Sequence, residues 1–292
     1  MKLFSHRLNG LTHRPFGTDG IERALKLGFD AVEIDTRVTA DGVPVLYHDR
    51  WVLDHTGTWR AIDEMSLADF SASVRGSQTL EAFVTQWAAL AGDRLQLLID
   101  LKTPNRVAEQ INIIDLAGLL QTTRFLSWHP TILDQLEASS RVRLLGFSWF
   151  AITSFFVREF CLGAIRKPVI AQAIGLSVRP FAPELSFDLR TAHICRISDD
   201  MERRWPDLAD AATVSDPLVP TDLLRRLGKK DALACVPLRW ISSAAVKSLQ
   251  SIGLKVAGFS AGTPREFQRA KRLDVDAVFI DEPGLIRGPR DI

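Results

Sequence analysis

Seven side chains in the first 102 residues of the chain have the types and spacing for chemistry on an anion. Glu33 and Asp35 lie two residues apart in the apolar run Ala31-Val32-Glu33-Ile34-Asp35. In an extended strand, residues i and i+2 share a face, so the two carboxylates point the same way. Side by side on a buried strand, they repel one another and resist leaving water. A hard divalent cation with its preference for oxygen ligands resolves that conflict; a solvated edge strand is the plainer alternative. A third acid, Asp100, closes the apolar run Leu95-Gln96-Leu97-Leu98-Ile99, and Lys102 follows it at i+2. Three carboxylates from two neighbouring strands thus make a site for one Mg²⁺ or Ca²⁺, with water completing the shell.

His6 and Arg7 end the short apolar stretch Lys2 to Ser5, and His48-Asp49 follows Pro44-Val45-Leu46-Tyr47. Arg7 offers a planar fork suited to phosphate, and Lys102 a point charge beside the acids. A divalent cation, two cationic side chains and two histidines around one anion suit phosphodiester cleavage. The cations stabilise charge on phosphoryl oxygens. One histidine takes a proton from the attacking hydroxyl and the other gives one to the leaving alcohol; their order stays open. The plainer readings are that Arg7 and Lys102 neutralise the acids as ion pairs and that the histidines are partly buried structural residues.

The elements that must position these residues are alternating strands and helices. Strand-type segments recur at Lys2 to His6, Ala31 to Asp35, Leu95 to Lys102, Arg124 to Trp128, Val142 to Phe147, Ala232 to Val236, Leu254 to Phe259 and Ala277 to Ile280. Helical stripes separate most of them: Ile21 to Leu27 stopped by Gly28, Thr79 to Ala91, Ser242 to Ile252 stopped by Gly253, and Thr263 to Leu273. Eight such strands predict an α/β fold, a (β/α)₈ TIM barrel, whose chemistry gathers where the strands' carboxyl ends form one rim. Thr39-Ala40-Asp41-Gly42 reads as a tight turn, Asp49 to Ser66 as loop, and Ser66 to Phe70 as a capped turn. Phe150 to Lys230 departs from the repeat. It reads as an elaborated connection between strands five and six, with extra strands at Val169 to Leu176 and Ala192 to Ile197, within a single domain spanning 1–292. Trp128, Phe147, Trp240 and Phe259 are candidates for a pocket wall or for ordinary core packing.

Composition agrees. The 292 residues are 46% hydrophobic and 24% charged with a net charge of +1, which describes a globular protein with a full core and no nucleic-acid footprint. Cys161, Cys195 and Cys235 are scattered and form neither a disulfide framework nor a zinc motif. No apolar run is suited to stable membrane insertion, and with no room for a signal peptide before His6 a cytoplasmic enzyme is expected.

His6-Arg7, Glu33-Ile34-Asp35, Thr39-Ala40-Asp41-Gly42-Val43-Pro44-Val45 with His48-Asp49, and Asp100-Leu101-Lys102 together resemble the glycerophosphodiester phosphodiesterase family. Weaker likenesses are His55-Thr56-Gly57, Thr79-Leu80-Glu81, Ser127-Trp128-His129-Pro130 and the closing Asp276 to Pro283. The resemblance implies the barrel, a divalent metal on Glu33, Asp35 and Asp100, acid–base roles for His6 and His48, and phosphate binding by Arg7 and Lys102. It also implies hydrolysis of a small glycerophosphodiester or sugar phosphodiester, with a cyclic phosphate as an intermediate option. Three positions depart from the family pattern. Leu8 stands where glycine is usual, Phe16-Gly17 follow Pro15 in place of Glu-Asn, and Asp100 replaces a glutamate. A short Asp-Leu-Lys also resembles the sphingomyelinase D relatives, which implies a second option: a phospholipase D-like lyase releasing a cyclic phosphate. A silent phosphate-binding barrel is the third.

Overall fold

The structure is a computed structural model that describes residues 1–12, 16–127, 129–148, 226–238, 241 and 243–286. The eight expected strands are present: β1 (Lys2–His6), β2 (Ala31–Val38), β6 (Gln96–Leu101), β7 (Thr123–Ser127), β8 (Leu144–Ser148), β9 (Leu233–Pro237), β10 (Lys255–Ala261) and β11 (Ala277–Ile280). Each pairs in parallel with its neighbours, and β1 bonds to both β2 and β11, so the sheet closes into a (β/α)₈ barrel. Among the described residues, the helices between strands include α1 (Thr18–Lys26), α2 (Leu67–Ser73), α3 (Leu80–Leu90), α4 (Val107–Leu116), α5 (Pro130–Ala138), α6 (Ser243–Ser251) and α7 (Pro264–Leu273).

Local chemistry accounts for the boundaries. Ser66, Thr79 and Thr263 cap α2, α3 and α7, each side-chain oxygen accepting from a backbone N–H in the first turn. Past α1, Gly28 takes φ +74°, the left-handed conformation that ends helices cheaply on glycine. At the barrel neck Gly146 sits where a Cβ would lie 2.4 Å from Leu126 Cδ2 and 2.7 Å from the Leu233 carbonyl oxygen, so three strands approach there only because the side chain is absent.

Pro44–Leu46 (β3) lies outside the eight and returns antiparallel along the end of β2, Thr36 opposite Leu46, through a turn in which Gly42 N–H donates to the Thr39 carbonyl. One expectation changes. The stretch read as loop contains a hairpin, β4 (Trp51–Leu53) against β5 (Trp59–Ala61). Its three-residue strands alternate too briefly to register as periodicity, and its turn is tied by Asp54 Oδ1 accepting from the Thr56 and Thr58 backbone N–H groups. The extra strands expected at 169–176 and 192–197, with most of the excursion around them, lie outside the described residues, as do Trp128, Trp240, Cys161 and Cys195.

The barrel interior is filled by Phe4, Ala31, Leu98, Leu126, Leu233, Cys235, Ala257, Ala277 and Phe279, with Phe259 packed against them. Phe147 is fully buried as core and Cys235 is a buried free thiol. Among the described residues no helix is long and apolar enough to cross a membrane.

Candidate active site

The interior cluster dictates the site through the period of two. Phe4 points inward, so His6 does; Ala31 points inward, so Glu33 and Asp35 do; Leu98 points inward, so Asp100 and Lys102 do. Register sets their neighbours: His6 is level with Glu33, and Asp35 with Asp100. Lys102 lies one residue beyond β6, where its N–H still bonds to the Thr36 carbonyl at 3.0 Å. The carboxyl ends of β1, β2 and β6 thereby bring six of the seven predicted residues onto one rim.

Glu33, Asp35 and Asp100 are buried, and one oxygen from each lies within 4.8 Å of the others. Lys102 Nζ contacts Asp100 Oδ2 at 2.8 Å and Asp35 Oδ1 at 3.2 Å, while Arg7 Nε lies 2.7 Å from Asp35 Oδ2. The ion-pair reading of both cations is therefore realised, in the same place where phosphate binding was expected. Burial works to raise the Asp35 carboxyl, but Lys102 and then Arg7 overcome it and hold it well below the usual carboxylate range. For Glu33 the balance is reversed: burial, and then the charge on Asp35, push it well above its ordinary value, and Arg7 and Lys102 lower it too little to offset them.

Glu33 Oε2 and Asp100 Oδ1 are sealed from solvent without a hydrogen-bond donor. Buried acceptors left in this state are costly. Two of the three clustered carboxylates thus carry an orphaned oxygen, a donor set that fits a hard divalent cation.

The loop after β1 turns sharply. Arg7 and Leu8 both take left-handed backbone, φ +55° and +57°, and the Arg7 N–H bonds to the Glu33 carbonyl at 2.9 Å. This conformation suits glycine, so Leu8 keeps the backbone shape expected of glycine at that position. It offsets the strain by burying its whole side chain, with Cδ1 over Gly20 at the start of α1.

His48 is reached by the return strand. Tyr47 N–H donates to the Asp35 carbonyl at 3.2 Å, and Arg37 Nε donates to the His48 carbonyl at 2.9 Å. His48 Nδ1 lies 2.6 Å from Asp49 Oδ1. His6 Nδ1 lies equally close, 2.6 Å, to Asp281 Oδ1, and its Nε2 is 3.8 Å from Glu33 Oε2. Burial pulls the His6 imidazole below its ordinary value, offset in part by Asp281. The Asp281 carboxyl is raised by burial but lowered further by the His6 hydrogen bond, and ends well below the usual range. Sequence reasoning passed over Asp281. The available signal was an acid placed two residues after an inward-facing strand position, as at Asp35 and Asp100.

An α/β barrel with an acidic, cation-flanked rim carrying two histidines is laid out for chemistry on a phosphate ester. Residues 18–131, a segment shorter than half of the chain, match the glycerophosphoryl diester phosphodiesterase family model. A curated relative, probable glycerophosphodiester phosphodiesterase 2 of Mycobacterium tuberculosis, is 32% identical over 95 residues, 32% of this chain and 35% of the relative; the match thus spans about a third of that relative's length. Among solved structures, an Oleispira antarctica phosphodiesterase in complex with the product sn-glycerol-3-phosphate aligns over 98% of this chain and 95% of its own, with TM-score 0.60 and 15% identity. A glycerophosphodiester phosphodiesterase from Thermotoga maritima aligns over 97% and 95%, with TM-score 0.58 and 15% identity. At these identities the structural likeness speaks to the fold.

Proposed function

We propose that the chain is a metal-dependent phosphodiesterase that cleaves a small alcohol–phosphate–alcohol diester, a glycerophosphodiester or sugar phosphodiester. The observation carrying this reading is the buried Glu33–Asp35–Asp100 cluster with two orphaned oxygens, flanked by Arg7 and Lys102. Those three carboxylates would hold one Mg²⁺ or Ca²⁺, which when bound supplies Lewis-acid stabilisation of a phosphoryl oxygen. Arg7 and Lys102 bind the phosphate anion, each being held at the rim by Asp35. Carboxylates at the Nδ1 atoms of His6 and His48 hold a proton on Nδ1, leaving Nε2 of each ring as the atom that exchanges protons with the substrate. With its imidazole kept below the ordinary value, His6 is suited to start neutral and accept a proton at Nε2 from the attacking hydroxyl, and His48, entering as the imidazolium, gives its Nε2 proton to the leaving alcohol. The scattered cysteines suit a cytoplasmic setting.

The test is hydrolysis of glycerophosphocholine with and without chelator. Activity that returns on adding Mg²⁺ or Ca²⁺ is expected; activity surviving complete removal of divalent cations overturns the metal reading. H6A and H48A are each expected to lower turnover by about 10²–10⁴-fold with the thermal transition retained. Phosphorus NMR of the product distinguishes an open monoester from a cyclic phosphate.

A further inference from the structure

We propose that Asp281 is a positioning residue for His6: its carboxylate accepts the His6 Nδ1 proton and thereby fixes which ring nitrogen, Nε2, faces the reacting oxygens. This deepens the reading above and rests on it for the role of His6. It lies outside the segment that matches the family model, which ends at residue 131.

Geometry is the first support. The two residues are 275 positions apart and meet only because β11 closes the barrel against β1, with Phe4 level with Phe279. The inward period of two that carries Phe4 to His6 carries Phe279 to Asp281, so the two side chains end on adjacent strands at one height. Their 2.6 Å contact is that of a short, charge-assisted hydrogen bond. The second support is that Asp281 is itself held. The same oxygen accepts from Asn9 Nδ2 at 3.0 Å, and the Asp281 N–H donates to the Ala261 carbonyl at 3.0 Å. A carboxylate with its backbone pinned to β10 and its oxygen shared with the loop after β1 is a rigid anchor, which is what a positioning group requires.

The third support is the shortage of another anchor. On the far side of the ring, Glu33 Oε2 stands 3.8 Å from Nε2, beyond hydrogen-bond length, and the Phe279 ring, its centroid 6.1 Å from that of the imidazole, offers packing without a polar contact. Among the described residues, Asp281 is the one whose contact with His6 selects a tautomer. His48 carries the same device on Asp49, but from the adjacent residue, so local sequence builds one dyad and barrel closure builds the other.

The test compares wild type, D281N and D281L in two measurements. Long-range proton–nitrogen NMR of the imidazoles, taken without metal, reads the His6 tautomer independently of turnover. Steady-state hydrolysis of glycerophosphocholine with saturating Mg²⁺ separates kcat from KM. Wild type is expected to show His6 protonated on Nδ1. D281L is expected to lose that preference and to lower kcat by about 10²-fold with KM changed less than about 2-fold. D281N, whose amide oxygen still accepts from Nδ1–H, should recover about 10-fold of the loss. An unchanged tautomer in D281L, or a raised KM with unchanged kcat, overturns the proposal. If D281L gives no folding transition, D281N decides: a kept tautomer with a modest kcat loss supports it, and a mixed tautomer with unchanged kcat refutes it. If wild type cleaves no diester at all, the functional reading fails, while the NMR comparison still decides the positioning claim.

Discussion

Replacing Lys102 by methionine isolates the electrostatic idea on which the site rests. The ammonium is 6% exposed and lies 2.8 and 3.2 Å from two buried carboxylates. At an effective dielectric of about 20, each contact carries about 5–6 kcal/mol of gross Coulomb attraction. Desolvation of the lysine offsets much of that. What remains is the cost of leaving an acid buried without its partner, about 3–5 kcal/mol. Arg7 continues to hold Asp35 at 2.7 Å, so only Asp100 becomes an orphan. The loss should therefore sit near 3 kcal/mol, about 6–12 °C in melting temperature for a chain of this size. A divalent cation replaces the missing charge. At about 100 times its dissociation constant it returns about 2.7 kcal/mol, and it should bind the variant more tightly than wild type because a repelling charge has gone. The assay is thermal unfolding of K102M and wild type, in chelator and then with Mg²⁺ or Ca²⁺. If K102M melts with wild type in chelator, or if the cation raises K102M by no more than wild type, then no cation-starved acidic cluster exists there.

Further outcomes follow from the same geometry. Glu33 is raised well above its ordinary value, so it carries its proton to higher pH than a solvated glutamate, and cation binding must expel that proton. Apparent affinity for Mg²⁺ should rise with pH through the Glu33 pKa, with up to about one proton released per site in calorimetry across buffers of different ionisation enthalpy; pH-independent binding would contradict it. L8G removes left-handed strain of about 1–2 kcal/mol but gives up a fully buried leucine worth about 3–5 kcal/mol, so chemical denaturation should show a net loss of about 2–3 kcal/mol. G146A should destabilise by about 1–3 kcal/mol, because its methyl collides with Leu126 and the Leu233 carbonyl; an unchanged denaturation midpoint would show that β7 and β9 can part without cost.

The strands and the first half of the site were legible in the sequence because both are written in short-range spacing. Apolar runs of strand length recur between helical stripes, and an i, i+2 pair such as Glu33 and Asp35 or Asp100 and Lys102 shares a face wherever the strand lies. Tertiary structure alone decided which face was inside. It also decided that Arg7 would reach Asp35, that three acids would converge to within 4.8 Å, and that Asp281 would meet His6 from the other end of the chain. These depend on register between strands and on the ring closing, β11 against β1. No local pattern encodes that closure, because it is set by the packing of all eight inward faces at once. The β4–β5 hairpin was hidden for the opposite reason: its strands are too short to carry a period, and pairing with each other defines them.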